Sequence, residues 1–179
     1  VVDTTSPEFI IPSSITVEAQ NANSNSVELD VPSTYDLVGI SSISNNAPEF
    51  FPLGETTVTW TATDESGNSS SITQKVTIVD ETAPVLEVPN DIILDATSLE
   101  NILEIGTATA TDIVDASPTV SNNAPEFFPL GETIVTWTVT DTSGNTTSAE
   151  QLVSVVDTTS PEFIIPSSIT VEAQNANSN

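Results

Sequence analysis

Apolar and polar residues alternate strictly through "ETTVTWTATD", residues 55–64. Val58, Trp60 and Ala62 fall on one side, and Thr57, Thr59, Thr61 and Thr63 on the other. A period of two carried by β-branched and aromatic residues predicts a half-buried strand. "ITQKVTIV", residues 72–79, predicts the next strand, with Val76 and Ile78 inward. Between them "DESGN" has the composition of a short hairpin loop. "SITVEA" (residues 14–19) and "SVELDVP" (residues 26–32) predict two earlier strands. The prolines of "PEFFPLG" mark strand ends, because proline has no N–H to give to a ladder. No stretch carries a helical period.

The pattern occurs twice. "SNNAPEFFPLGET" at residues 44–56 returns 77 residues later at residues 121–133. "TDESGN" at 63–68 returns as "TDTSGN" at 140–145, and Asp3, Asp80 and Asp157 keep the same spacing. The second long strand therefore carries Val135, Trp137 and Val139 in place of Val58, Trp60 and Ala62. Residues 1–25 are identical to residues 155–179, whereas the segment after Asp80 differs from both. The sequence thus divides into repeat one (1–79), repeat two (80–156) and the first strands of a third repeat (157–179). The order is A-B-A with a period of 154, as expected of a window on a longer array.

About seven short strands in 77 residues predict an all-β fold: tandem immunoglobulin-like β-sandwiches. Units this small bury a modest core. Trp60 and Trp137, the largest apolar groups on the most regular strand, are its expected anchors.

Composition narrows the function. The chain has 179 residues, 37% of them hydrophobic, with 26 acidic residues against one basic residue, Lys75, and a net charge of −25. No cation stripe exists to neutralise phosphates, so nucleic acid is not an expected partner. An anionic membrane surface is disfavoured on the same ground, and no apolar run is long enough for membrane insertion. The hydrophobic content and regular alternation argue against disorder. There is no Cys and no His, so disulfides, thiolate metal sites and His-based catalysis are outside its chemistry.

"FPLGETTVTWTATDESGN" and "FPLGETIVTWTVTDTSGN" resemble the F-P-x-G-x-x-x-V-x-x-x-A-x-D-x-x-G-N signature of the hyalin repeat (HYR) domain family. "VDTTSP" and "VDETAP" resemble its D-x-x-x-P entry segment. The resemblance implies an extracellular or cell-surface immunoglobulin-like module, used in tandem, associated with adhesion and without catalytic activity. Family members often carry Cys where Trp60 and Trp137 stand, so this chain lacks the disulfide found there.

Enzyme templates find no support. Serine triads need a base that is missing, and Lys75 is replaced by Leu152 in repeat two. Paired carboxylates for glycoside hydrolysis would need an aromatic-lined cleft, and the chain has one Tyr, Tyr35. A hard cation suits the acids better. Ca²⁺ takes six to eight oxygens from carboxylates, carbonyls and water. In a tandem sandwich the incoming linker and two loops share one pole. That gathers Asp3, Asp36 and Asp64 in repeat one, and Asp80, Glu81, Asp112, Asp115 and Asp141 in repeat two. Asp157 opens the third, and Glu55 or Glu132 is expected from the preceding domain. The competing reading is that Asp64 and Asp141 cap a hairpin through Asx bonds. "NSS" at Asn68 and "NTT" at Asn145 are acceptor sequons for glycosylation, or simply turn chemistry.

The expected function is structural: a tandem module of an extracellular fibre or filament, with calcium-stiffened junctions and other copies of the same protein as partners. The alternatives are an adhesion module that binds a ligand, and a spacer in a larger secreted protein.

Overall fold

A computed structural model describes residues 2–169. Every regular element in it is a strand. Repeat one contains β1 (Glu8–Phe9), β2 (Ile15–Glu18), β3 (Thr34–Tyr35), β4 (Ile40–Asn45), β5 (Gly54–Asp64) and β6 (Ser69–Val79). Repeat two contains β7 (Val85–Glu87), β8 (Ile92–Asp95), β9 (Thr109–Thr111), β10 (Thr119–Asn122), β11 (Gly131–Thr140) and β12 (Thr146–Val156). Each repeat has a four-stranded sheet, ordered β2-β6-β5-β4 or β8-β12-β11-β10, and a two-stranded sheet, β1-β3 or β7-β9. The folds are immunoglobulin-like sandwiches in tandem.

The long hairpins are the segments with the cleanest alternation. β5 and β6 pair antiparallel from Gly54↔Ile78 to Thr63↔Ser69, and β11 pairs with β12 in the same way. Gly67 and Gly144 take the positive φ of the hairpin loops, +89° and +94°, where a side chain is strained. The first strand of each four-stranded sheet runs parallel to the last: β2 to β6 and β8 to β12. This brings each entering segment beside the exit of its own domain.

Two cores form. Val58, Trp60, Val76, Ile78 and Phe51 close the first, and Val135, Trp137, Val153, Val155 and Phe128 the second. Trp60 and Trp137 are 2% and 4% exposed. Each indole N–H donates to a buried glutamine, Trp60 to Gln74 Oε1 at 3.0 Å and Trp137 to Gln151 Oε1 at 3.1 Å. The glutamine amides donate onward to the carbonyls of Ser13 and Asn90 at 2.9 and 2.8 Å. The polar relay ties the long hairpin to the entering segment and leaves no indole donor unpaired.

One predicted strand is absent. Residues 26–32 form no strand, although Val27 and Leu29 pack on the core. Alternation specifies which side chains point inward, but a strand also needs a neighbour, and here the only bridge is Asn25↔Phe51 just before it. Asn25 is the organiser of that corner. Its Oδ1 accepts the N–H groups of Gln20 and Asn21 at 2.8 and 3.1 Å, and its Nδ2 donates to the carbonyls of Asn21 and Phe51 at 2.9 and 3.0 Å. Asn101 makes the corresponding bonds to Thr97, Ser98 and Phe128. Asn25→Ala strands these buried partners. It is expected to lower stability by about 1–3 kcal/mol in urea unfolding, whereas an exposed control such as Asn23→Ala leaves it unchanged.

Candidate metal centre at the domain entrances

Three loops meet at the entrance of each repeat: the incoming linker, the turn after β3 or β9, and the long hairpin's loop. In repeat one they deliver Asp3, Asp36 and Asp64, which each offer a carboxylate oxygen within 4.8 Å of the others. In repeat two Asp80, Asp112 and Asp141 do the same.

Asp64 is 2% exposed and Asp141 6%. Asp64 Oδ1 accepts the N–H groups of Ser66 and Asn68, both at 2.8 Å, and its Oδ2 accepts Asn68 Nδ2 at 2.8 Å. Asp141 is held likewise by Asn145. Burial works to raise the Asp64 and Asp141 carboxyls; the side-chain and backbone bonds from Asn68 and Asn145, with the loop N–H groups, outweigh it and lower both. Asp36 Oδ1 accepts Val38 N–H at 2.9 Å, and Asp112 Oδ1 accepts Val114 and Asp115 N–H, both at 2.8 Å. Asp3 Oδ1 accepts from Thr5, and Asp80 Oδ2 accepts Ser143 Oγ at 2.7 Å.

What is left over is informative. Asp3 Oδ2 and Asp80 Oδ1 are buried and have no hydrogen-bond partner. A buried, unpaired carboxylate oxygen is unfavourable, and three converging carboxylates repel one another unless a cation lies among them. Each triad therefore combines capping with a spare set of oxygens. The Asx-cap and ion-ligand readings of Asp64 and Asp141 are compatible, because the bonds that cap the loop also fix the carboxylates' direction.

The other acids expected at the entrances are not members of either triad. Glu55 forms an ion pair with Lys75 at 2.9 Å on the exposed face of the sheet; β5 begins at the correct pole but turns this side chain away along the strands. Neither Glu81 nor Glu132 joins a triad among the described residues. Asp115 has both oxygens engaged, Oδ1 with Ser117 N–H at 2.8 Å and Oδ2 with Thr142 N–H at 2.9 Å, so it ties two loops together. Asp157 accepts Thr159 N–H and Oγ–H at 2.9 and 2.7 Å, as Asp3 does from Thr5. The Thr159 hydroxyl and then its N–H lower the Asp157 carboxyl.

The sequons sit inside these sites. Asn68 Nδ2 donates to Asp64 Oδ2 and to the Asp3 carbonyl, and Asn145 Nδ2 donates to Asp141 Oδ2 and to the Asp80 carbonyl at 2.8 and 3.0 Å. Both amide protons are in use, and a glycan attached there replaces one of these bonds.

A second acidic feature lies at the exit of each repeat. Glu18, the last residue of β2, accepts the Glu81 N–H at 3.0 Å and the Thr82 hydroxyl at 2.7 Å. Asp95 at the end of β8 accepts the Thr158 N–H and hydroxyl at 3.2 and 2.9 Å. The Thr82 hydroxyl and then the Glu81 N–H lower the Glu18 carboxyl. The linker is thus clasped as it leaves one domain and enters the triad of the next.

Asp64 and Asp141 are lowered from the ordinary 3.8 on folding. Their contribution to stability is complete above that value and is lost as pH falls through the lower folded values. In chelator, urea midpoints should hold level from neutrality to about pH 5 and drop steeply only below about pH 4; a drop centred near neutrality would contradict the assignment.

Fold and entrance geometry define a tandem β-sandwich repeat protein with an acidic triad at the head of each domain. The HYR domain family profile matches residues 2–78 and again 79–155, and the chain belongs to that family. It is similar to "Hyalin" of Strongylocentrotus purpuratus, 35% identical over 188 residues, covering 93% of this chain and 15% of that protein. It is also similar to "Hyalin" of Lytechinus variegatus, 32% identical over 182 residues, covering 89% of this chain and 33% of that protein. The chain therefore spans a third or less of the length of these relatives. Among solved structures, Drosophila N-cadherin EC1-4 aligns with 86% of this chain and 50% of its own, at 14% identity and a TM-score of 0.42, too slight a likeness to bear on function. No helix among the described residues is long and apolar enough to cross a membrane.

Proposed function

We propose that the chain is a structural segment of an extracellular tandem-repeat fibre whose joints are fixed by Ca²⁺. The observation that carries the reading is the pair of equivalent aspartate triads, each with a buried carboxylate oxygen lacking a partner. Asp3, Asp36 and Asp64 would hold one ion, and Asp80, Asp112 and Asp141 the other, with backbone carbonyls and water completing the shell of a hard cation. Because Asp80 lies on the linker while Asp112 and Asp141 lie on the domain it enters, an ion there locks the linker's direction. Similar modules at a constant spacing suit a role in which length and regularity are the product. The HYR family membership and the hyalin relatives support an extracellular, adhesion-related setting. No reaction is assigned.

Small-angle scattering tests the joint. Adding Ca²⁺ to chelated protein should narrow the distribution of angles between the two repeats and lengthen the mean particle. An unchanged scattering profile with and without Ca²⁺ would remove the joint from the proposal.

A further inference from the structure

The joint between the two repeats has an apolar component separate from the triads. Val114 belongs to the turn between Asp112 and Asp115 in repeat two, yet it is 8% exposed and packs in the core cluster of repeat one. The base of repeat one is a socket, and the tip of repeat two fills it. Asp112 sets the tip through its bond to the Val114 N–H at 2.8 Å. The clasp from Glu18 holds the linker alongside.

The base of repeat two has the same construction without that occupant. Ala19 of repeat one is 4% exposed, whereas its counterpart Ala96 is half-buried. Ala96, Leu99 and Leu130 line a depression of about 240 Å³, flanked by Asp157 and Thr159 of the outgoing linker. Leu99 is 80% exposed. At the other end of the chain, the tip of repeat one has Leu37 and Val38 at 83% and 39% exposure. Val38 is held by Asp36 in the turn that Asp112 makes with Val114.

We propose that the base of repeat two is a socket for the Leu37–Val38 tip of a repeat-one-type domain. Residues 155–179 repeat residues 1–25 without a change, so a domain that continues from Asp157 in the repeat-one pattern would carry that tip. The inference rests on the tandem-array reading but not on calcium. With 26 acidic residues against one basic residue, two free copies repel, and the covalent linker supplies the effective concentration that makes a small apolar contact form. Besides the change of clasp from Glu18 to Asp95, the A-to-B and B-to-A joints differ at the tip: Asp115 ties the repeat-two tip to Thr142, while Gly39 stands in that region of repeat one and its carbonyl accepts the Glu65 N–H at 3.3 Å.

The test lengthens the full chain by appending residues 26–79 after Asn179, which completes a third domain identical to the first. A soluble paramagnetic agent reads exposure of the Ala96 and Leu99 methyl groups by NMR in Ca²⁺. Both should be broadened in the 179-residue chain and lose most of that broadening in the longer one. Val38→Asp in the added domain alone should restore it, with the added domain's Trp indole signal unmoved as proof of folding. Leu37→Ser with Val38→Ser serves if that variant unfolds. Methyl groups as exposed in the longer chain as in the shorter, or protection indifferent to both variants, would overturn the socket. Calcium uptake is measured on the same samples: protection without uptake contradicts the metal proposal alone, and uptake without protection contradicts the socket alone.

Discussion

Trp137→Ala should unfold repeat two under conditions in which repeat one stays folded. The indole is 4% exposed and central to the second core, and a buried Trp truncated to Ala costs roughly 3–5 kcal/mol. The substitution also strips Gln151 Oε1 of its donor in a residue with 0% exposure, adding about 1–3 kcal/mol. Together these are comparable to the whole stability of a small domain, about 5–15 kcal/mol. The remaining Trp60 then reports on repeat one alone, so its fluorescence should keep its own transition while circular dichroism shows the second repeat melting early. Trp137→Phe separates the two contributions: it retains most of the apolar volume, orphans the glutamine and should lose only the smaller part. A loss below about 1 kcal/mol for Trp137→Ala would contradict the core assignment.

Calcium should stabilise each repeat through its own triad. An ion that binds only the folded form adds about 4 kcal/mol per site at a thousandfold excess over its dissociation constant, and the melting temperature should rise accordingly. Asp141→Asn should abolish the gain in repeat two and leave that in repeat one. Its amide is a poorer ligand for a hard cation, while one oxygen remains to accept the Asn145 N–H that Asp141 Oδ1 accepts at 2.8 Å. In chelator the same variant should lose less, because the hydrogen-bonding role is partly kept and the repulsion from Asp80 and Asp112 is relieved. Equal Ca²⁺-dependent shifts in the wild type and in Asp141→Asn would place the ion elsewhere.

The parts of the molecule legible in the sequence are those where one residue type repeats on one face. Val58, Trp60 and Ala62 identify β5 because an alternating strand has only one way to bury them. The triads are legible because Asp3, Asp64 and their counterparts recur at 77 residues, and loop connectivity brings linker and hairpin to one pole. Glu55 is misplaced by that reasoning, since being at the correct pole does not fix the direction of a side chain that finds Lys75 across the strands. The segment 26–32 is misread for a related reason: alternation is a property of one chain, pairing of two. Gln74 and Asn25 carry a weaker signal. Gln74 recurs as Gln151 at 77 residues on the inward register of its strand, where a polar residue is retained only if its bonds are satisfied. Asn25 recurs as Asn101 one residue out of step, and only the fold shows that a shortened loop keeps the two equivalent. The clasps at Glu18 and Asp95 change residue type between repeats, and no motif marks them.

Calorimetric titration of the demetallated 179-residue chain with Ca²⁺ addresses the central claim most directly. The two triads predict uptake of two ions per chain, reduced to one by Asp80→Asn and to none when Asp3→Asn is added. No uptake at millimolar Ca²⁺, or the same uptake in the double variant as in the wild type, would contradict it.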